Sequence, residues 1–201
     1  MIQQILKDSI LEAQTNLQIF YQDQKLHQEF ENVINAIVNC YKNGGGLFVA
    51  GNGGSAADAQ HFVAELVVKL NKDRDPLKAF ALTVDTSILT AAGNDYSYDH
   101  IFSRQVEALM TKNDLFVGFT TSGNSKNILN CFDMCKKIGA KSILLSGKDG
   151  GVAVKEKKAD YNLVAPGPNT ARIQEVHEIL YHTICYAVEK ILIEQKIISY
   201  R

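Results

Sequence analysis

The 201-residue sequence lacks several features that would each assign it to a class of proteins. Its net charge is only -1, so no excess of basic side chains favours nucleic acid or an anionic membrane as a partner. No run approaches the roughly 20 apolar residues that a membrane span needs, and the N-terminus has neither the basic start nor the apolar centre of a signal peptide. We therefore expect one compact domain, residues 1–201, in the cytoplasm.

The sequence also has no C-x-x-C pair, the spacing that is typical of zinc sites built from cysteines. Its four cysteines, Cys40, Cys131, Cys135 and Cys185, fall within helical patterns instead. We therefore expect reduced, buried side chains that act as small hydrophobic residues.

One stretch combines an apolar strand, a glycine-rich turn and the start of a helix. Residues 47–50 are apolar and short enough for a buried strand. Gly51, Gly53 and Gly54 then permit a tight turn, which presents backbone N–H groups to an anion. Ser55 is placed to cap the helix that follows. The stretch predicts a phosphate-binding turn.

The helix after this turn carries polar side chains on one side. Asp58, His61 and Glu65 recur at three- and four-residue spacing, opposite an apolar stripe that extends to Leu70 and predicts a helix over 55–70. This pattern puts a base and a candidate metal ligand beside the glycines, although a merely solvated helix face has the same pattern. The turn also matches a dinucleotide fingerprint through its first two glycines and Ala56. It is not a P-loop, because the Lys-Ser/Thr pair after the last glycine is missing.

Hydrophobic periodicity predicts five short strands that alternate with helices. Two helices within residues 1–43 precede the first strand, a long helix from about Ala171 closes the chain, and the later strands are expected at 78–84, 115–120, 141–146 and 161–165. Such alternation predicts an α/β fold, a three-layer, doubly wound sheet of five parallel strands in the flavodoxin-like order 2-1-3-4-5. The first helix is apolar enough to need a partner, either another subunit or its own sheet.

This strand order would bring two unusual loops together. Strands one and three become neighbours, and ligands bind where their carboxyl ends flank the switch point of the sheet. Those ends lead into residues 51–55 and 120–125, and the second loop has hydroxyls where the first has glycines. Hydroxyls and N–H groups at a helix N-terminus suit a phosphate monoester. The alternative for residues 120–125 is a plain N-cap turn.

Several motifs together resemble the sugar isomerase (SIS) domain family over nearly all of the chain. They are Gly51-Asn-Gly-Gly-Ser-Ala-Ala-Asp-Ala-Gln-His61, Ala64-Glu65-Leu66, Ala91-Ala-Gly-Asn-Asp95, Phe102-Ser-Arg-Gln105, Thr121-Ser-Gly-Asn-Ser125, Gly147-Lys-Asp-Gly-Gly151 and Thr170-Ala-Arg-Ile-Gln-Glu-Val-His177. The branch of the family that these motifs match converts sedoheptulose 7-phosphate to D-glycero-D-manno-heptopyranose 7-phosphate through an enediol. The reaction is the first step toward the ADP- or GDP-heptose of lipopolysaccharide or capsule.

The resemblance implies a homotetramer with sites between subunits and a role for each matching position. The implied catalytic residues are Glu65 and His182. The implied substrate contacts are Asn52, Gly53, Gly54, Ser55, Glu65, Asn94, Asp95, Thr120, Thr121, Ser122, Ser125 and Gln174. The implied ligands of one zinc ion per subunit are His61, Glu65, Gln174 and His182.

The chemistry of these residues agrees with the implied roles in part. An enediol isomerisation needs a base for the carbon-bound proton and an acid for the oxygens, and Glu65 and His182 are of the right types. Gln174 and His182 lie about 12 Å apart along a helix, so an ion bound by both has to lie between them. The alternative is that Gln174, His177 and His182 are polar positions on a packed interface helix.

Two departures from the family pattern bear on substrate choice more than on reaction type. Val68-Lys69 stands where many relatives have Gly-Arg, and Ala171 stands where some have an aspartate. Two other functions use the same family fold: a non-catalytic tetrameric scaffold that binds a replication initiator, and a sugar-phosphate sensor. The presence of both Glu65 and His182 favours the enzyme over the scaffold.

Overall fold

The structure, a computed structural model, describes residues 1–201 and is built around one sheet. Its strands are β1 (Leu47–Ala50), β2 (Ala79–Ala81), β3 (Leu115–Thr120), β4 (Lys141–Gly147) and β5 (Tyr161–Ala165). All neighbouring strands pair in parallel, in the order β2-β1-β3-β4-β5. The predicted fold class and strand order are confirmed.

Helices cover both faces of the sheet. They are α1 (Ile2–Gln22), α2 (Gln24–Lys42), α3 (Gly54–Val67), α4 (Thr86–Asp95), α5 (Ser103–Leu109), α6 (Lys126–Ile138), α7 (Gly151–Lys155) and α8 (Thr170–Glu194), with a 3-10 turn at Tyr98–His100. Side chains of β3 alternate between the two faces: Val117 and Phe119 pack with α2, α3 and α8, while Phe116 packs with α5 and α6. The result is a three-layer fold with a buried core on each side of the sheet.

Two element boundaries differ from the expected ones. Helix α3 begins at Gly54 with Gly53 as its N-cap residue, so Ser55 lies inside the helix and the expectation that it caps the helix is wrong. The buried Ser55 hydroxyl instead accepts a hydrogen bond from Gln174 on α8. Strand β2 has three residues rather than the seven of 78–84, because it pairs only with the short β1 before Asp85 caps α4 through the N–H of Ile88.

The first two helices have different surroundings. Helix α2 buries Val33, Ile37 and other apolar side chains against the core. Helix α1 keeps Ile2 and Ile5 exposed at 79% and 62%, and its one buried residue, Asn16, donates to the carbonyl of Pro166 at 3.0 Å. The alternative that the first helix lies across its own sheet is therefore wrong for α1.

Two further observations concern the expectations from composition. All four cysteines are free and buried, as predicted. No helix of the structure combines the length and the apolar character that crossing a membrane would require.

Candidate active site

The two unusual loops lie side by side at the carboxyl edge of the sheet. Residues 51–53 follow β1, residues 121–125 follow β3, and β1 pairs with β3. Asn52 and Asn127 join the loops by reciprocal amide hydrogen bonds, of 3.0 Å from Asn52 Nδ2 and 2.8 Å from Asn127 Nδ2. The predicted meeting of the two loops is confirmed. Asn127, which sequence reasoning missed, is only 2% exposed.

The glycine turn leaves backbone donors open at the start of α3. Gly53 has a φ of 56°, in the left-handed region that favours glycine. A side chain at Gly54 would have no room, because its Cβ would lie 2.7 Å from the Gln174 amide nitrogen. The N–H groups of Gly54 and Ser55 donate to no backbone carbonyl, as is usual in the first turn of a helix. This end of α3 is suited to an anion.

The hydroxyl-rich loop precedes the N-terminus of α6, as the glycine turn precedes that of α3. Ser125 is the N-cap residue, yet its side chain caps no N–H group and instead shares a 2.9 Å hydrogen bond with Thr120 Oγ1. Ser122 Oγ accepts from the N–H of Asn124 at 3.2 Å. A plain N-cap turn would use the Ser125 hydroxyl on the helix, so this geometry favours an anion at the helix N-terminus.

Three side chains with acid, base or metal-ligand chemistry meet between α3 and α8. His61 Nε2 lies 3.1 Å from Glu65 Oε1, its neighbour one turn along α3, and 3.4 Å from His182 Nε2 on α8. The side chain of His61 is 43% exposed and that of Glu65 is 17% exposed, so a ligand has access to both. A merely solvated helix face would not have His182, from another helix, at hydrogen-bonding distance. The structure therefore argues against that alternative for His61 and Glu65.

A tyrosine orients the central histidine. Tyr181, 1% exposed, has its hydroxyl 2.9 Å from His61 Nδ1. Burial raises the pKa of Tyr181, so this hydroxyl stays protonated. A His61 Nδ1–H that donates to the tyrosine oxygen leaves the Nε2 lone pair free for an ion or a proton. Sequence reasoning did not identify Tyr181 as a site residue. It stands next to His182 and resembles one of the apolar positions of α8.

Two carboxyl groups that had no assigned role lie near this cluster. One ligand atom each of His61, Glu178 and His182 lies within 4.8 Å of the other two. Asp58 has a buried Oδ2 without a partner, and its pKa is raised to about 6, first by burial and then by Glu178. The four-residue spacing of Glu178 and His182 was the available signal, because such residues share a helix face.

Gln174 and His177 occupy different surroundings from His182. The side-chain amide of Gln174 donates a hydrogen bond to Ser55 Oγ at 3.2 Å, so it lies at the glycine turn rather than beside His182. His177 is fully buried, its Nε2 lies 2.9 Å from the carbonyl oxygen of Ser146, and burial lowers its pKa to about 4. His177 is therefore a neutral core histidine, as the packed-helix alternative allowed for it.

Asn94 and Asp95 lie in the last turn of α4, where they hydrogen bond to each other at 2.7 Å. No hydrogen bond joins either side chain to the two loops. The segment reaches the loops through Tyr98, whose hydroxyl donates to Asn52 Oδ1 at 3.0 Å. The two loops contact each other directly, and so do the side chains of the α3–α8 cluster. Asn94 and Asp95 hydrogen bond to neither group.

Comparison with known proteins gives one consistent result. Residues 13–147 match the SIS domain family. The chain is similar to the phosphoheptose isomerase of Sulfurimonas denitrificans, with 46% identity over 185 residues that cover 92% of this chain and 94% of that one. It is 44% identical to the phosphoheptose isomerase of Aliarcobacter butzleri, over 92% of this chain and 95% of that one.

Solved structures agree with the sequence comparison. The phosphoheptose isomerase structure from Neisseria gonorrhoeae superposes with a TM-score of 0.87 at 37% identity, covering 94% of this chain and 100% of that one. The phosphoheptose isomerase structure from Francisella tularensis gives a TM-score of 0.89 at 32% identity, with coverage of 94% and 99%.

Proposed function

Since this chain belongs to the SIS-domain family, and within it to the phosphoheptose isomerases, we propose that it converts sedoheptulose 7-phosphate to D-glycero-D-manno-heptopyranose 7-phosphate. We place the reaction in the cytoplasm, at the start of ADP- or GDP-heptose synthesis for lipopolysaccharide or capsule. The observation that carries the proposal is the meeting of Glu65, His61 and His182 beside two loops that leave helix N-termini open to an anion.

The proposed chemistry moves one proton between neighbouring carbons through an enediol. The Glu65 carboxylate takes a proton from C1 while a ring N–H of His182 gives a proton to the ketone oxygen on C2. Glu65 then returns its proton to C2, and His182 takes the proton of the C1 hydroxyl, which leaves an aldehyde at C1. Both residues end as they began. Glu65 and His182 lie 3.1 and 3.4 Å from the same atom, His61 Nε2. This proximity supports their action on neighbouring atoms of one substrate.

The phosphate is proposed to bind at the start of α6. The hydroxyls of Thr120, Thr121, Ser122 and Ser125 and the first N–H groups of this helix offer donors, and the helix dipole favours negative charge there. The sugar would extend toward the glycine turn, where Asn52, Gly53, Gly54, Ser55 and Gln174 are proposed contacts. Asn94 and Asp95 complete the proposed set from α4.

Side chains of the types that bind zinc lie between α3 and α8. Tetrahedral ligands at about 2.0 Å from zinc stand about 3.3 Å apart. His61 Nε2 lies 3.1 Å from Glu65 Oε1 and 3.4 Å from His182 Nε2, which is close to this value, whereas the three ligand atoms that all lie within 4.8 Å of one another belong to His61, Glu178 and His182. When bound, the ion would polarise the sugar carbonyl. We propose His61, Glu65 and His182 as ligands with Gln174 as the fourth.

Glu178 is an alternative to Gln174 as the fourth ligand, because one of its carboxylate oxygens lies within 4.8 Å of a ring nitrogen of each histidine. Calorimetric titration of Zn²⁺ into Gln174→Ala and Glu178→Ala decides between them. The variant that loses a ligand should bind zinc at least about tenfold more weakly, while the other should match the wild type.

Assembly into a homotetramer with sites between subunits is also part of the proposal. Exposed apolar side chains of α1 support it, since Ile2, Ile5 and Leu6 are 79%, 62% and 62% exposed in the isolated chain. A groove of about 610 Å³ runs between α1 and the turn at Gly167 and Pro168, lined by Leu11 and Ile19 together with polar side chains that include Asp8 and Glu12. The segment 1–43 is therefore proposed to contribute to subunit packing.

One assay separates the enzyme from the sensor and the scaffold. Purified protein is incubated with sedoheptulose 7-phosphate and with shorter ketose phosphates, and aldose formation is followed. We expect turnover of the seven-carbon substrate. Binding without turnover would indicate a sensor, and neither binding nor turnover would leave the scaffold.

A further inference from the structure

A buried ion pair lies behind the candidate site, between the same two helices. Arg74, in the segment that connects α3 to β2, is 2% exposed, and its partner Glu189 on α8 is 3% exposed. Arg74 Nε donates to Glu189 Oε2 at 3.0 Å. Neither residue belongs to the proposed substrate, acid–base or zinc sites.

The guanidinium also ends helix α3. Arg74 Nη2 donates to the backbone carbonyl of Glu65 at 2.8 Å, and Nη1 donates to the carbonyls of Leu66 and Asp75, both at 2.9 Å. The last carbonyls of a helix have no partner within it, and a cation there complements the helix dipole. Helix α3 accordingly stops at Val67, short of the Leu70 that its apolar stripe predicts. One side chain thus holds the backbone of the proposed base.

The other residue of the pair, Glu189, lies on the same helix as the proposed acid His182. Glu189 lies two turns beyond His182 on α8, on a helix that is regular from Thr170 to Glu194. The contact chain therefore runs from Glu65 through Arg74 and Glu189 to the helix of His182. We propose that Arg74 and Glu189 are positioning residues that fix the proposed base Glu65 relative to the acid His182. This inference rests on the proposed isomerase function.

Stability alone does not account for this pair. A buried ion pair loses hydration, and well-packed apolar residues of similar volume commonly stabilise a protein as much or more. Arg74 instead makes four hydrogen bonds from a planar fork, a geometry that a lysine ammonium does not reproduce. Such an arrangement fixes the position of a helix end more narrowly than apolar packing does.

The C-terminal residues cover the pair and offer a matched control. Tyr200 donates from its hydroxyl to Glu189 Oε1 at 3.4 Å, and the side chains of Ser199 and Arg201 bond to the Asp75 carboxylate. Asp75→Asn weakens these tail contacts next to Arg74 but leaves the pair and the carbonyl of Asp75 in place. This variant should keep wild-type activity.

The test compares Arg74→Lys, Glu189→Gln and the apolar double variant Arg74→Met/Glu189→Leu with this control. In the single variants, kcat for sedoheptulose 7-phosphate should fall at least about tenfold, because small displacements of a catalytic group have large effects on rate. KM should change less than about threefold, since the proposed phosphate loop lies on other elements. The double variant leaves no unpaired buried charge, so its thermal midpoint should lie above that of Glu189→Gln, without a recovery of kcat.

Recovery of kcat together with the thermal midpoint in the double variant would overturn the inference, because the pair would then be structural only. Full kcat in folded Arg74→Lys and Glu189→Gln would overturn it as well, and these two decide the matter if the double variant does not fold. A wild type without turnover would refute the proposed function instead. Zn²⁺ affinity by calorimetry then tests the pair: at least about tenfold weaker binding in Arg74→Lys supports it, and unchanged or absent binding rejects it.

Discussion

The buried histidine His177 should make folding stability depend on pH in a way that one substitution removes. Burial lowers its pKa to about 4 in the folded chain, from 6.5 for an ordinary histidine. The unfolded chain therefore binds more protons between these values. The stability that this group contributes is complete above pH 6.5 and is lost as the pH falls toward 4.

The size of the effect follows from the two pKa values. At about 1.4 kcal/mol for each unit of pKa difference, the wild type should lose about 3 kcal/mol of unfolding free energy through His177 between pH 7.5 and pH 4. His177→Gln keeps an N–H donor for the carbonyl of Ser146 but takes up no proton. The unfolding free energy of the wild type relative to that of the variant should therefore fall by about 3 kcal/mol between pH 7.5 and pH 4.

Urea unfolding at a series of pH values measures this gap. His100→Gln is the matched control, because it replaces an exposed histidine by the same residue and leaves His177 in place. Parallel stability curves for His177→Gln and the wild type would refute the reasoning, since they would mean that His177 takes up protons equally well in the folded and unfolded chains.

Four further predictions concern the site itself. Glu65→Gln should keep the fold and bind the sugar phosphate but lose about 10² to 10⁴ in turnover, because an amide cannot accept the proton; a fast variant would exclude Glu65 as the base. Ser122→Ala combined with Ser125→Ala should raise KM, at roughly 1.5 to 3 kcal/mol for each lost hydrogen bond to a charged group, and leave the unfolding midpoint nearly unchanged; an unchanged KM would put the phosphate elsewhere. Chelation should lower activity and added Zn²⁺ should restore it, whereas full activity with no metal by elemental analysis would remove zinc. His182→Asn should turn over at least about a hundredfold more slowly with its sedimentation unchanged; a change in sedimentation would instead make His182 an interface residue.

Elements whose signals are local were predictable from the sequence. The limits of Leu115–Thr120 and Tyr161–Ala165 are those expected, because each apolar run is bounded by residues that cannot extend a buried strand. The end of α6 follows from Gly139, which adopts the left-handed conformation with a φ of 75°. The strand order also followed, since alternating strands and helices allow few arrangements.

Boundaries that depend on distant partners were not predictable in this way. Helix α3 ends before Leu70, where Arg74 donates hydrogen bonds to two of its last carbonyls, and Ser55 lies inside the helix, where its hydroxyl accepts from Gln174 on α8. The sequence pattern of α3 contains neither partner. Local propensity describes what a segment favours by itself, whereas a buried polar group must find its hydrogen-bond partner wherever the fold supplies one.

The residue types of the candidate site came from the sequence, and their grouping came from the tertiary structure. Motifs supplied His61, Glu65 and His182 as candidates, and the sheet order brought the two loops together. That Glu178 lies beside the histidines while Gln174 lies on Ser55 depends on how α8 packs across α3. Spacing along one helix determines which side chains share a face. Which faces of two helices meet, and at what height, is determined by packing between residues more than a hundred positions apart.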